Sequence, residues 1–469
     1  MKRILMRAAK HPFWAATEEE TLLHNTIGNN TGNLMFGNAA FKLMSTPNTS
    51  IQTDSDKLFR VKPEEHAAWI NDSCDVYVLP MANAFKKKFA GHLDILTQII
   101  TKLKVPVVMF GAGAQATLDL DPAFIDDISD NVKAFVGSIL DRSASVGVRG
   151  EFTKRYLGTL GFSDVDIIGC PSMFVHGPGF RIEKPERLPS NAKIAFSTAL
   201  NVYDPDLLVQ VNKRIVEQSS NLTYFAQELR DLEMMYWGDT SILAGREIDL
   251  PKIRSHPLIK NGQTVVPLEP HGWIEALRSY DFALGTRIHG NIAALDAGVP
   301  GLVIAHDSRT LELSQYLDIP YRKITEMDTS FTIEELYALA DYSAFNLNHS
   351  ARFVQLTDFM TRNGLENTFD HGDSGAAYEA RMIQAHHHAP AVAWTGGEMG
   401  DGGNRVAMLY EMTLNSSKRL DPLQAKIAAQ EKMIKGLTSK LETQEKTITA
   451  LTKTVKKLRP LLHAEKHAD

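Results

Sequence analysis

Two α/β units followed by a coiled-coil helix are what this sequence predicts, and three observations lead there. Short apolar strands alternate with amphipathic helical stretches through most of the chain. A Pro-, Gly- and charge-rich break at 177–192 divides that alternation, and a heptad repeat occupies the C-terminal part. With 469 residues, 43% of them hydrophobic, the chain is long enough for two or three domains with full cores.

The first unit, assigned to 1–176, has its clearest strands at 75–79, 105–110, 145–148 and 165–168, with helical stretches at 92–103 and 152–160 between them. This is the pattern of a doubly wound parallel sheet. Its turns carry the chemistry. An Asn/Gly-rich loop, Asn25 to Asn33, precedes an amphipathic segment from Leu34, and loop amides around Asn29 and Asn33 suit an anion, sugar hydroxyls or a plain tight turn equally. Gly111-Ala112-Gly113-Ala114-Gln115-Ala116 formally matches a dinucleotide fingerprint with Ala in the last position. The stretch Thr117 to Pro122 then reads as loop, so no helix start follows and the NAD reading is set aside. Arg149 stands where a strand runs into a helix at Val148-Arg149-Gly150-Glu151; a single Arg beside a Glu is more often a salt bridge than a ligand contact.

After the break, a second unit at 193–325 has strands at 193–197, 222–226, 263–267, 280–284 and 301–305, and helices at 206–218, 271–279 and 310–316. Its centre is Gly285-Thr286-Arg287-Ile288-His289-Gly290-Asn291. A strand precedes it, and the spacing Ile288, Ile292, Leu295, Val299 predicts a helix ended by Gly298 and Pro300. Arg287 and His289 therefore lie at a strand-to-helix junction, with the free amides of the Gly290-Asn291 helix start beside them. That is the place where open α/β sheets seat phosphates and carboxylates. An isolated Arg-x-His is as well explained by a structural ion pair and a satisfied turn. His306, Asp307 and Arg309 fall at the carboxyl end of the next strand, facing the same edge.

Residues 326–365 read as two helices and 366–420 as a flexible Gly/His-rich connection. Its His386-His387-His388 point in different directions on any regular element, so no metal site is expected. From 421 to 460 the pattern changes. Asp421-Pro422 starts a helix and Pro460 stops it; Ile427, Ile434, Leu441, Ile448 and Val455 fill one seam position, and Leu423, Leu437, Leu451 and Leu458 the other, with Gln430 and Gln444 as interruptions. Lys426 with Glu431 and Lys440 with Glu445 have the flanking spacing, which predicts a parallel homodimer through 423–458.

A net charge of −6 and a pI near 6.3 speak against a nucleic-acid partner, and the one basic cluster, Lys86-Lys87-Lys88, reads as a solvated turn. Two cysteines, Cys74 and Cys170, cannot build a disulfide framework and suit a reducing compartment. The N-terminus lacks the apolar core of a signal peptide, and no apolar run has the length of a membrane span, so a cytoplasmic location is expected. The six Asn-x-Ser/Thr sequons are then read as chance.

Taken together, the motifs resemble the polysaccharide pyruvyl transferase family. The resemblance rests on Gly285-Thr286-Arg287-Ile288-His289-Gly290, Ala293-Ala294, Ala297-Gly298-Val299-Pro300 and His306-Asp307. Weaker matches are Thr31-Gly32-Asn33, where many relatives have Gly-Asp, the Gly111 to Gln115 turn, and Val148-Arg149-Gly150-Glu151, where many have Arg-Asp. It implies two Rossmann-like domains facing a cleft, the GT-B arrangement, and transfer of a pyruvyl group from phosphoenolpyruvate to a sugar, commonly as a ketal, with no cofactor. On that resemblance Arg287, Gly290 and Asn291 would hold the donor's anionic groups. His289 would be the general acid or a phosphate contact. Arg149 would hold the carboxylate or close the domains, and the Asn29 to Asn33 loop would meet a carbohydrate acceptor, which could bring the enzyme to a membrane surface. Gly113, Gln115, His306 and Asp307 complete the expected substrate-binding set. Two other readings stand beside it: a GT-B glycosyltransferase using a nucleotide sugar, and a non-catalytic coiled-coil assembly protein.

Overall fold

The computed structural model describes residues 1–54, 62–199, 205–239, 251–253, 255–328, 330–385, 387–392, 405–406, 409, 413, 427 and 430–456. The chain divides into two units, Met1–Thr395 and Gly396–Asp469.

The first unit holds two parallel α/β halves. In the N-terminal half, β1 (Lys2–Met6), β2 (Thr49–Thr53), β3 (Val76–Pro80) and β4 (Val107–Phe110) form a sheet in the order β2-β1-β3-β4. β5 (Val146–Val148) and β6 (Val165–Ile167) extend it: the Ala112 N–H donates to the Gly147 carbonyl at 3.1 Å and the Arg149 N–H to the Ala112 carbonyl at 2.9 Å. The basic, apolar N-terminal segment is thus a central strand, its Ile4, Leu5 and Met6 buried. Buried on both faces, such strands show no alternation to read in sequence.

The second half is built from β7 (Ile194–Ser197), β8 (Leu222–Phe225), β9 (Thr264–Val266), β10 (Phe282–Gly285), β11 (Gly301–Ala305) and β12 (Tyr321–Lys323), with β13 (Ala391–Val392) antiparallel on β9. The order is β12-β11-β10-β7-β8-β9-β13. Renumbered from β7, its parallel part is the 3-2-1-4-5-6 order of dinucleotide-binding sheets, and the switch point falls between β7 and β10. Ligands of such sheets bind outside the carboxyl ends of the strands at that point.

The carboxyl edges of the two sheets meet directly. After β11, the Ser308 hydroxyl donates to the Ala114 carbonyl at 3.0 Å and accepts the Ala116 N–H at 2.7 Å, both residues lying beyond β4. The Tyr316 hydroxyl donates to the Ile167 carbonyl of β6 at 3.0 Å. The helix Thr31–Met44 is tied across as well: Thr31 donates from N to Gln227 O at 2.9 Å and from Oγ1 to Pro267 O at 2.7 Å.

Segments 177–192 and 366–392 are both tied to their surroundings. The Pro-rich break runs between the two halves. Ile182 and the Asn346 side chain exchange two hydrogen bonds at 2.8 and 2.9 Å, and the Tyr337 hydroxyl donates to the Pro185 carbonyl at 2.7 Å. Asn346 lies on the helix Ser343–Arg362, which returns the chain to the N-terminal half, where Asn363 Oδ1 accepts the Ala144 N–H and Phe359 packs edge-on to Phe110. The part of the Gly/His-rich connection within 366–392 is not a flexible tether. It contains the helix Ala376–Gln384, with Tyr378 buried against Phe13 and Phe41, and the strand β13. His387 lies 3.2 Å from Glu269 and its ring 4.3 Å from that of His271. His386 and 393–404 lie outside the described residues. Among the described residues no His, Cys, Asp and Glu group is arranged to hold a metal ion, and no helix is long and apolar enough to cross a membrane.

In the second unit, 430–456 is one helix. The expected start at Asp421-Pro422, the stop at Pro460, and Leu423, Lys426 and Leu458 lie outside the described residues.

Candidate active site

The site begins with a glycine. At the end of β10, Gly285 has φ 140° and lies so close to β7 that any Cβ would collide with the Ser197 carbonyl. Thr286 continues the pairing, donating from N to Ser197 O at 2.9 Å and accepting the Ala199 N–H on Oγ1 at 2.8 Å. The chain then turns out at Arg287, the N-cap of the helix Ile288–Asp296, directly at the β7/β10 switch point. Asn291 holds this turn, its amide donating to Gly285 O at 3.3 Å and Arg287 O at 3.1 Å. The Gly290 N–H also returns to Arg287 O, at 3.1 Å. The Asn291 side chain and the Gly290 amide, expected on the donor, make these bonds within the junction.

Arg287 donates from Nε to the Thr198 carbonyl at 3.3 Å and forms an ion pair with Glu228, the N-cap of the helix Leu229–Trp237. The structural ion pair that a lone Arg-x-His suggests is therefore present, inside the site. Burial pulls the guanidinium pKa down, but the charge and hydrogen bond of Glu228 outweigh it and hold it above its ordinary value.

His289 is buried between the halves. Its Nε2 lies 3.7 Å from Cys170 Sγ, beyond β6, and a Cβ placed on Gly32 would be 2.7 Å from its Nδ1. Burial first, then the charges of Arg149, Arg309 and Arg287, push the imidazole down to about 3, so it is neutral at pH 7. Arg149, 2% exposed, makes no described ion pair with Glu151. It turns inward, donating from Nη2 to the Ala82 carbonyl, while its Nε has no hydrogen-bond partner among the described residues. Gly113 makes room for it, since a Cβ there would lie 3.1 Å from Arg149 Nε. Gln115 borders the same turn, its Oε1 accepting from Asn83 at 3.3 Å.

From β11, Asp307 caps the helix Ser308–Leu317 by accepting the Thr310 N–H at 3.1 Å and pairs with Arg309, whose Nε donates at 2.7 Å. Burial raises the Asp307 pKa, but the Arg309 and His306 charges hold it far below the usual carboxylate range. His306, 3% exposed, has no hydrogen bond on either ring nitrogen among the described residues, its Nε2 lying 3.6 Å from Asp307, and burial lowers it to about 4. Glu312 bridges the halves, accepting Thr153 N at 3.0 Å and Thr153 Oγ1 at 2.7 Å; burial raises it to about 7.

Asn29 and Asn33 are exposed, with Asn29 Oδ1 accepting from Asn25 at 3.0 Å and Asn33 Nδ2 donating to Gly28 O at 2.7 Å. The loop reaches the site through Gly32. Lys86 is not part of a solvated turn. Lys87 and Lys88 are exposed, but Lys86 is half-buried after β3, where burial and then the charges of Arg309, Lys88 and Arg149 depress its ammonium to about 8. Its position after the strand at 75–79 was the available signal; the two neighbouring lysines masked it.

Arg149, Arg287 and Arg309 thus bear on His289, and Lys86 adds its charge beside Arg149 and Arg309, more cationic charge than Glu228, Asp307 and Glu312 return, the electrostatics of an anion site. The family model described as "Polysaccharide pyruvyl transferase" matches residues 41–308, more than half of the chain, and spans all of these groups except Arg309 and Glu312. The chain belongs to the polysaccharide pyruvyl transferase family. Membership assigns a transferase acting on polysaccharide. Comparison with curated proteins finds no match. Among solved structures, a functionally uncharacterized protein of Klebsiella pneumoniae is 13% identical, covering 67% of this chain and 88% of its own, with a TM-score of 0.35. S. aureus MnaA with UDP is 10% identical over 83% of this chain and 99% of its own, at 0.37. The UDP-GlcNAc 2-epimerase of Methanocaldococcus jannaschii, with UDP-GlcNAc and UDP, is 11% identical over 82% and 100%, also at 0.37. All three are distant likenesses.

The buried imidazoles set a pH dependence. His289 and His306 stay neutral in the fold down to about 3 and about 4, whereas unfolded histidines protonate near 6.5. Below pH 6.5 the unfolded chain therefore takes up protons that the folded one does not, and stability falls as pH falls, by about 1.4 kcal/mol per histidine per pH unit. Glu312, raised to about 7, opposes one histidine over part of that range, because its folded form holds a proton that the unfolded form has lost. The expected result is a Tm lower at pH 5 than at pH 7, with a steeper fall in Glu312→Gln; a Tm independent of pH across that range contradicts it.

Proposed function

We propose that this chain transfers a pyruvyl group from phosphoenolpyruvate to two hydroxyls of a glycan, forming a pyruvate ketal and releasing phosphate. The observation that carries the reading is the gathering of Arg149, Arg287 and Arg309 around one buried histidine at the switch point of the second sheet, with Lys86 beside Arg149 and Arg309, in a chain of this family. Phosphoenolpyruvate carries a phosphate and a carboxylate, and two anionic groups match a site with several fixed cations and a helix start.

A proton added to the methylene carbon makes the methyl group and leaves the central carbon electrophilic. One glycan hydroxyl forms a C–O bond there, the bond to the phosphate oxygen breaks, and a second hydroxyl closes the ketal. Of the two hydroxyl protons, one balances the proton given to carbon and the other leaves with phosphate. His289 is the proposed general acid. Burial and then the guanidinium charges depress it; the donor's anions counter the second of these, so donor binding moves its pKa upward, toward the protonated form that a general acid needs.

Lys86 is proposed to contact the donor's phosphate or carboxylate. Lys86→Met is expected to raise the KM for phosphoenolpyruvate by roughly 10- to 100-fold, the value of one charged hydrogen bond, in an assay of phosphate release with a panel of glycans. In the parent protein the same KM rises as the pH passes about 8, where Lys86 loses its charge. An unchanged KM in the variant removes Lys86 from the site, and no phosphate release with any glycan in the parent protein counts against the reaction.

A further inference from the structure

The helix at 430–456 carries a seam that nothing in the reaction uses. Ile434, Leu441, Ile448 and Val455 at one position of the heptad and Leu437 and Leu451 at the other are 55–62% exposed, as is Ile427. Exposed apolar side chains at a strict 3.5-residue spacing are the surface of a helix that pairs with another helix.

We propose that this seam binds a second copy of the same chain as a parallel, in-register, two-stranded coiled coil. Three features select that occupant. Four of the five a positions from 427 to 455 are β-branched, and Leu stands at the d positions 437 and 451 between Gln430 and Gln444, the choice that favours two parallel strands. Charge complementarity is internal to the sequence. Lys440, just before the a-position Leu441, reaches Glu445, just after the d-position Gln444, on a parallel partner, and two-fold symmetry repeats the contact; Lys426 and Glu431 have the same relation. An antiparallel pair instead sets lysine flank against lysine flank and glutamate flank against glutamate flank. Finally, Gln444 sits in the seam itself. In register it meets its own copy, and each amide can donate to and accept from the other; a slip of one heptad leaves it facing Leu437 or Leu451 with its polar groups unmatched.

The test uses the full-length chain. Light scattering should give twice the 52.1 kDa of one chain. Lys440→Glu and Glu445→Lys should each raise the dimer dissociation constant roughly tenfold, since each turns two attractive contacts per dimer into repulsive ones, and the double exchange in one chain should restore it. Leu451→Cys should cross-link under mild oxidation only in the parallel, in-register pair, while the parent chain, whose Cys74 and Cys170 are buried, should not. A single-chain mass, a mass above two chains, a double exchange that fails to restore pairing, or a dimer in which Leu451→Cys does not cross-link overturns the proposal.

Discussion

Arg287→Ala is expected to lower kcat/KM for phosphoenolpyruvate about 10²–10³-fold, the cost of deleting one preorganised cationic donor from a buried site. The guanidinium is fixed by Thr198 O and Glu228 at the mouth of the β7/β10 switch point, so its charge is held in place before any donor binds. The fold should survive. Glu228 loses its closest partner, but the charges of Lys252 and Arg230 still favour its ionised form, and an exposed edge remains, with 20% of its side chain accessible. A loss of about 1–3 kcal/mol is the expected scale, against a typical total of about 5–15. Arg287→Lys keeps the charge without the two-pronged geometry and should fall between. Wild-type kinetics in the alanine variant, with Tm measured beside them, would exclude Arg287 from the reaction.

The second large effect comes from adding one methyl group. In Gly32→Ala the new Cβ would lie 2.7 Å from His289 Nδ1 and 2.8 Å from its Cβ and Cγ, far inside contact distance. The helix cannot easily retreat, because Thr31 is bonded to both Gln227 and Pro267 of the opposite half. The imidazole must move, and displacing a general acid by about 1 Å costs on the order of 10²-fold in rate. Gly37 provides the control. It lies in the same helix with no atom within 4 Å of its would-be Cβ, so Gly37→Ala should leave activity unchanged and stabilise the helix by about 1 kcal/mol. Equal activity in Gly32→Ala and Gly37→Ala would show that the His289 position is not critical.

Much of the second half was legible because its signals are local. Strands 193–197, 222–226 and 301–305 are short apolar runs closed by turn residues, and the Arg287 junction announces itself by a strand, a Gly and a helix period within 15 or so residues. In the first half β1 escaped notice, since a five-residue strand buried on both faces has no alternation, and β2, with Thr, Ser and Gln, has the composition of a loop. The site residues followed the same division. Arg149, Arg287 and His289 stand at visible strand ends. Gly32, Lys86, Cys170 and Glu312 act through contacts with residues 100 or more positions away, or through the packing of two halves, and no local pattern encodes that. Asn29 and Asn33 show what residue type alone leaves open: their side chains each make a local bond, beside the left-handed backbone at Asn25 and Asn29, which the composition of the loop does not specify.

The most direct test of the proposed donor is thermal unfolding of the full chain with phosphoenolpyruvate or a panel of nucleotide sugars, in the parent protein and in Arg287→Ala. A ligand that binds only the folded state raises Tm, by an amount set by about 2.7 kcal/mol at a concentration 100 times its Kd. The expected result is a rise with phosphoenolpyruvate that disappears in the variant. A rise confined to nucleotide sugars, or one with phosphoenolpyruvate that Arg287→Ala leaves intact, would contradict a donor site at Arg287 and His289.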